Sequence, residues 1–448
     1  MKKKLFIVLT IVMMLSTSLV FAGGDSEKNE SGSPEIVVSN NFIGNPDGTI
    51  ELNWQPNPYH WLTNASESKK AYLEPRVKEW LEAHPDVKIN VMDTSTSIAD
   101  AMAKTLVQSE NGQLPDMASI DSYMFPKFHK YVQPLNDALS ANNIEQDDFF
   151  EYVQKTTVDS NGDIKGLWYT TDVRFLYYRK DLIKNPPKTW DELLAVCEDI
   201  KDDVEEPINF EADRDEGTLT ATILPWLYGD GGKLFDGETP VFGEANNKET
   251  LVNSMNFVKE LLEKGYAPSS ILTSNIPAFF PQAAAGQVGM FIGGNFSKNQ
   301  FIGIIGEDTY NELWDVAQIP MPKEGQRSSI AGGWVSAVFT DDSVKKDLCE
   351  DFLIWMYGSD DGMSGWCAAG GYLPTRTSVF NNDPYFNSTE FMKACRTELA
   401  TSSVRPAAAL YSEASNEILA AYGDVLTNKM SAEEGVDLAF NNVVKLTK

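Results

Sequence analysis

The chain carries three histidines, His60, His84 and His129, and four cysteines in 448 residues. Their spacing builds no familiar reaction centre. There is no HExxH, CxxC or GxSxG, and no GxGxxG or GxxxxGKS/T phosphate loop. His84 precedes Pro85 at a helix end and reads as structural; His129 reads as surface. His60, between Tyr59 and Trp61 just after the first strand, is the one histidine placed to meet a ligand. The 65 acidic residues contain many accidental carboxylate pairs, whereas glycoside cleavage needs two held roughly 5–10 Å apart. Asp159, Asn161 and Asp163 mimic the start of a calcium loop, but Ile164 stands where that loop needs glycine. Asn161-Gly162 is therefore read as a hairpin turn, with no metal and no cofactor expected.

What does stand out is aromatic and small polar residues at expected strand ends. Ligands of open α/β sheets bind outside the carboxyl ends of the strands. Asn53-Trp54-Gln55, Asp121-Ser122-Tyr123, Trp168-Tyr169, Asn295-Phe296 and Gly333-Trp334 fall at such places. Sugars present C–H faces that stack on rings, and hydroxyl edges that pair with Asp, Asn and Arg. Trp54, Trp168 and Trp334, beside turn-like polar residues and glycine, are read as ligand contacts. Trp80, Trp190, Trp314 and Trp355, inside helix or strand patterns, are read as core.

The elements that would position these residues follow from periodicity. Strands are predicted over 50–54 and 87–91, and helices over 69–83 and 98–109, with Val77, Trp80 and Leu81 on one apolar face. Residues 114–121 read as a loop and a buried strand ending in Asp121. Thr189 and Glu192 form a capping box for the next helix. This alternation predicts an α/β protein with mostly parallel sheets.

The N-terminus addresses the chain for export. Lys2, Lys3 and Lys4 precede an apolar run over 5–15, and Val20-Phe21-Ala22 has the small-x-small shape of a signal-peptidase site. A signal peptide is expected over 1–22 and a flexible spacer over 23–34. The first cysteine is Cys197, so no lipid attachment site adjoins the cleavage point, and an untethered periplasmic protein is expected. Removing 1–22 takes away three lysines and no acid, and the formal charge moves from −28 to −31. Such a charge argues against nucleic acid or an anionic membrane surface as partner. Cys197 and Cys349 share helical faces with apolar residues and read as buried thiols; Cys367–Cys395 is the most plausible bridge, if any forms.

Taken in order, several segments resemble a known family. They are Leu114-Pro115-Asp116-Met117; Tyr177-Tyr178-Arg179-Lys180-Asp181-Leu182; Pro187-Lys188-Thr189-Trp190-Asp191-Glu192-Leu193; and Ala283-Ala284-Ala285-Gly286-Gln287-Val288-Gly289-Met290. Gly371-Tyr372-Leu373-Pro374-Thr375-Arg376 and Arg405-Pro406 onward follow. Together they resemble the extracellular solute-binding proteins of the maltodextrin-binding type that serve ABC importers. The resemblance implies a two-lobed periplasmic-binding-protein fold with three interlobe crossovers and a central cleft. Lobe one is placed at 35–170 plus 320–372, lobe two at 171–318 plus 377–448, with crossovers near 169–172, 318–320 and 372–376. It further implies a monomer that binds a mono- or short oligosaccharide, or a polyol, and hands it to the permease membrane subunits without catalysis. By family position the ligand contacts would be Trp54, Asp121, Tyr123, Trp168, Tyr169, Trp226, Asn295, Gly333, Trp334 and Arg376. The alternatives are a secreted carbohydrate hydrolase or lyase, and the same fold binding a non-sugar. A polyamine would need several cleft acids and a phosphate clustered Lys or Arg; the landmark loops show neither.

Overall fold

The computed structural model describes residues 36–95, 97–274 and 276–447. The expected signal peptide and spacer lie outside the described residues.

Three short strands stand where the sequence places them. Ile50–Gln55 pairs in parallel with Val87–Val91 on one side and with Met117–Asp121 on the other. Met117–Asp121 is buried at every position, as expected of a strand covered on both faces. Phe42–Gly44 and Val37–Val38 extend one edge, while Gly332–Val338 and Leu167–Asp172 complete a seven-stranded sheet. A second sheet sets Trp314–Ala317, Arg174–Arg179, Val288–Gly294 and Glu206–Asn209 side by side.

The sheets are less parallel than the sequence predicts. Gly332–Val338 and Leu167–Asp172 run antiparallel in the first sheet, as do Arg174–Arg179 and Trp314–Ala317 in the second. These are the strands on which the chain passes from one sheet to the other. A strand that arrives from the other sheet needs no right-handed helical crossover within its own, so nothing forces it parallel.

The first passage is abrupt: only Val173 separates Leu167–Asp172 from Arg174–Arg179. The return lies between Ala317 and Gly332. Its first part is held by the second-sheet side, with the Trp226 indole donating to the Pro320 carbonyl (2.9 Å) and the Trp190 amide to that of Met321 (3.0 Å). On the third passage Leu373 bridges to Thr171. Arg376 and Ser378 both bond Asp148, so the chain here is still tied to the first-sheet side. By Phe391 it meets Phe175 of the second sheet. Helices Tyr411–Leu426 and Ala432–Lys445 then pack on Ala245–Glu263.

Local signals hold in part: the expected capping box at Thr189 forms on one side only, because Glu192 accepts from Lys188 instead of Thr189. The Thr189 hydroxyl accepts from the Glu192 amide, and Glu192 reaches back to the Lys188 amide. Val158 and Ile164 bridge around Asn161-Gly162, and the Asp159 carboxylate is engaged by the amides of Asn161 and Asp163. All four cysteines are buried free thiols, so Cys367 and Cys395 are not bridged.

Candidate functional site

Where the carboxyl ends of the first-sheet strands face the second-sheet side, the chain encloses a cavity of about 450 Å³, within the size range of small-molecule sites. One wall carries Tyr59, His60, Lys69, Asp121, Trp334 and Tyr372; the other carries Arg174, the 211–217 segment, Thr220, Phe296 and Arg405.

Trp334 reaches the cavity through two backbone devices. Gly333 has φ +145°, and a Cβ there would stand 1.8 Å from the Thr170 carbonyl oxygen and 2.4 Å from the Trp168 indole nitrogen. Only glycine fits so close an approach. The pairing with Leu167–Asp172 then shifts register between Trp334 and Val335. Such a bulge re-aims the side chain beside it.

Asp121 ends its strand against Arg405. The two are ion-paired, and the same guanidinium lies 3.4 Å from Glu216 and 4.4 Å over the Tyr123 ring. Glu216 also accepts from the Tyr411 hydroxyl (3.0 Å) and from Ser415. Burial raises the Asp121 carboxyl to about 6 against the pull of Arg405. Burial also works against the Arg405 charge, but Asp121 and Glu216 outweigh it and hold the guanidinium charged. Arg174 repeats the theme beside them, donating to Asp172 (2.6 Å) and Thr220 (3.2 Å) with its guanidinium 5.5 Å over Phe296.

On the opposite wall His60 sits fully inside a hydroxyl network. Its Nδ1 is 2.8 Å from the Tyr169 hydroxyl and its Nε2 3.0 Å from that of Tyr372. Burial, with Lys69 adding, lowers its pKa well below the ordinary value, so the ring is neutral at pH 7. Lys69 donates to the Tyr372 hydroxyl (2.7 Å) and the Tyr59 carbonyl (3.3 Å).

Of the ten residues expected to contact ligand, Asp121, Gly333 and Trp334 line the cavity. Three others support it from behind: Tyr123 under Arg405, Tyr169 under His60, and Trp168 beneath Gly333. The remaining four are placed elsewhere. Trp54 packs edge-on to Trp61 and Phe352, each at 5.3 Å, because the helix Ser343–Leu353 covers that strand end. Trp226 is wedged against Trp190 and Phe257 with its indole donating to Pro320. Arg376 is spent on Asp148, Asp360 and the Gly358 carbonyl. Asn295 is buried, accepting from the Val173 amide (2.8 Å) and donating to the Gly371 carbonyl (2.6 Å).

Sequence reasoning missed Lys69, Arg174, Tyr372, Arg405 and the acidic segment as wall residues. Glu211-Ala212-Asp213-Arg214-Asp215-Glu216 puts four carboxylates on one wall, which corrects the expectation that no acid cluster meets the cleft. Burial and Asp215 raise the Asp213 carboxyl. A signal existed for Lys69: it falls in register with Leu73, Val77 and Trp80 on the buried stripe of helix Glu67–Ala83, an odd place for a lysine. None existed for Arg405, whose partners lie 284 and 189 residues away.

The bacterial extracellular solute-binding protein family matches residues 64–363. The arabinooligosaccharide-binding protein of Bacillus subtilis (strain 168) is 25% identical over 396 residues, spanning 85% of this chain and 82% of that protein. Among solved structures, maltose-bound MalE3 of T. maritima aligns with a TM-score of 0.76 at 19% identity, over 89% of this chain and 100% of that one. The GacH receptor of Streptomyces glaucescens GLA.O, solved unliganded and with acarbose, gives 0.73 at 20% identity, over 88% and 98%. The fold is the two-lobed one that the sequence motifs imply, and among the described residues no helix is long and apolar enough to cross a membrane. With a match across two thirds of its length, the chain belongs to the bacterial extracellular solute-binding protein family.

Proposed function

We propose that this protein binds a neutral saccharide, one to a few units long, in the cavity between its two sheets and delivers it to the membrane subunits of an ABC importer. The observation that carries the reading is Trp334: an indole re-aimed by a glycine and a bulge into a cavity whose opposite wall holds Arg174, Arg405 and the 211–217 acids. A sugar ring stacks on the indole while its hydroxyls donate to carboxylates and accept from guanidinium groups. The resemblance to an arabinooligosaccharide-binding protein supports a pentose- or hexose-based ligand.

In this reading each sheet is the core of one lobe, and the hinge strands are the passages around 172–174, 318–332 and 371–390. A ligand that touches both walls stabilises the closed form by its differential affinity. The protein works without turnover, as an untethered periplasmic monomer released from a signal peptide. One second reading has an observation behind it. Six carboxylates against three cations line the cavity, which favours an amine-bearing solute such as a polyamine.

A thermal-shift screen of residues 23–448 separates the two. Arabinotriose, maltotriose, tagatose, spermidine and amino acids are each added at 1 mM. Binding to the native state raises the melting temperature, by about 2.7 kcal/mol of stability at a hundredfold excess over Kd. A shift with a saccharide and none with spermidine is expected. The reverse pattern replaces the cargo, and reducing-sugar release from a polysaccharide would overturn the reading as a binding protein.

A further inference from the structure

Lys69 is an unusual residue to find in this wall. Its side chain is 96% buried (4% exposed) yet lines the cavity. Its ammonium has three N–H donors, and its two acceptors are a phenol oxygen and a peptide carbonyl. Burial lowers its pKa, and the ammonium lies 4.9 Å over the Tyr372 ring and 5.9 Å over that of Trp366. Buried charges in proteins are ordinarily paired with an opposite charge; with two acceptors for three N–H donors, this one leaves an N–H at the cavity for an acceptor from outside the chain.

The surrounding bonds fix which way that wall is polarised. An ammonium only donates, so the Tyr372 oxygen accepts from Lys69 and its own O–H turns to His60 Nε2. The neutral imidazole then carries its proton on Nδ1 and donates to the Tyr169 hydroxyl, which lies 3.2 Å from the Ser119 hydroxyl. Lys69 thus heads a one-way chain of donors. The wall across the cavity is the opposite in character, lined by the carboxylates of Glu211, Asp213, Asp215 and Glu216.

We infer that Lys69 is a specificity-determining residue whose third N–H donates to an oxygen of the bound saccharide, while the carboxylates opposite accept hydrogen bonds from that saccharide's hydroxyls. The inference rests on the saccharide reading above. It selects a ligand with an oxygen acceptor at the Lys69 end and disfavours an amine there, because two cations would then meet.

The groups facing Lys69 are His60, Tyr59 and Tyr372, with Glu211 and Asp215 across the cavity. Burial lowers the Lys69 ammonium to about 8. Burial keeps His60 neutral, and burial raises the Tyr59 and Tyr372 phenols. Among Lys69, His60, Tyr59 and Tyr372, Lys69 is therefore the group that changes charge between pH 7 and 9. The charged form binds, so affinity falls as pH rises through that window, and binding takes up a proton there.

The test is calorimetric titration of wild type, Lys69→Met and Lys69→Arg with arabinotriose and maltotriose at pH 7, 8 and 9, with imidazole ¹⁵N shifts of His60 recorded at pH 7. For whichever saccharide binds, Lys69→Met is expected to lose at least tenfold at pH 7 and to show a flat pH profile. In wild type, affinity falls toward pH 9, and His60 reports the Nδ1–H tautomer. Wild-type binding with unchanged affinity in Lys69→Met overturns the role of Lys69 and leaves the saccharide reading standing. No saccharide bound by wild type overturns both. Should Lys69→Met fail to fold, a wild-type affinity that does not change between pH 7 and 9 is decisive against the inference.

Discussion

Asp121 and Asn295 begin from the same place in the chain's logic and finish with different work. Each lies at the carboxyl end of a buried strand, Met117–Asp121 in one sheet and Val288–Gly294 in the other. Each is a short polar side chain, and each is nearly inaccessible, at 5% and 1% exposure. Asp121 opens on the cavity and meets a guanidinium. Asn295 opens on the junction between the sheets, where its one amide ties the first passage at Val173 to the third at Gly371. The strand-end rule finds the neighbourhood of a ligand site. Whether a residue there serves the ligand or the hinge depends on what the chain brings opposite it, from far away in sequence.

The comparison breaks most visibly at Arg405. Arg405→Met leaves Asp121 and Glu216 buried without their shared cation. Removing one partner of a buried pair costs about 3–5 kcal/mol. Chemical denaturation should show a loss of that size together with loss of saccharide binding, whereas a loss under ~1 kcal/mol would mean that the triad is not buried in solution. At the other strand end, Asn295→Ala strands a buried amide N–H and a buried carbonyl. Each orphaned group costs about 1–3 kcal/mol. The stability loss should come with a small change in affinity, because Asn295 does not line the cavity. A large affinity loss in a variant of normal stability would move Asn295 into the site.

Two tryptophans sharpen the same contrast. Trp334→Ala should weaken saccharide binding at least tenfold, about 1.4 kcal/mol, in a variant that still folds, although removing an indole only 9% exposed also costs stability. Trp54→Phe should cost stability and leave affinity alone, since its ring is fully buried against Trp61 and Phe352 and away from the cavity. Equal affinities for Trp334→Ala and wild type, measured by calorimetry, would remove the indole from the site.

A further contrast concerns pH. Burial lifts the Asp121 carboxyl to about 6, above its ordinary value near ~3.9. The folded state then holds that proton more tightly than the unfolded chain. This contribution to stability is full below about pH 4 and fades as pH rises through about 6. Urea midpoints of wild type should fall across that window by an amount that Asp121→Asn lacks. Parallel curves for the two proteins would contradict the assignment.

Much of the frame was legible from local pattern. The parallel strands at 50–55, 87–91 and 117–121, the capped helix after Thr189 and the turn at Asn161-Gly162 all depend on near neighbours, and the sequence reading places them closely. The antiparallel hinge strands were not legible, because their direction depends on which sheet the chain has just left. The site divided along the same line. Asp121 was found because a carboxyl strand end is a local signal; Trp334, expected at another such end, stands near the amino end of Gly332–Val338, and only the antiparallel pairing of that strand sets it opposite Asp121. Trp54 has much the same local surroundings, and only the helix Ser343–Leu353, nearly 300 residues on, seals it into the core. Arg405 was missed because its partners lie far away in sequence, whereas Lys69 was legible from its place on the buried stripe of its own helix and was overlooked. The acidic run at 211–216 was plain to see but had no address until the strand Glu206–Asn209 carried it to the cavity wall.

The most direct test of the account is a crystal structure with the saccharide that gives the largest thermal shift. The expected result is electron density between the Trp334 indole and the 211–217 segment, within hydrogen-bond reach of Asp121 or Arg405. A saccharide bound anywhere else on the protein, with this cavity holding only water, would contradict it.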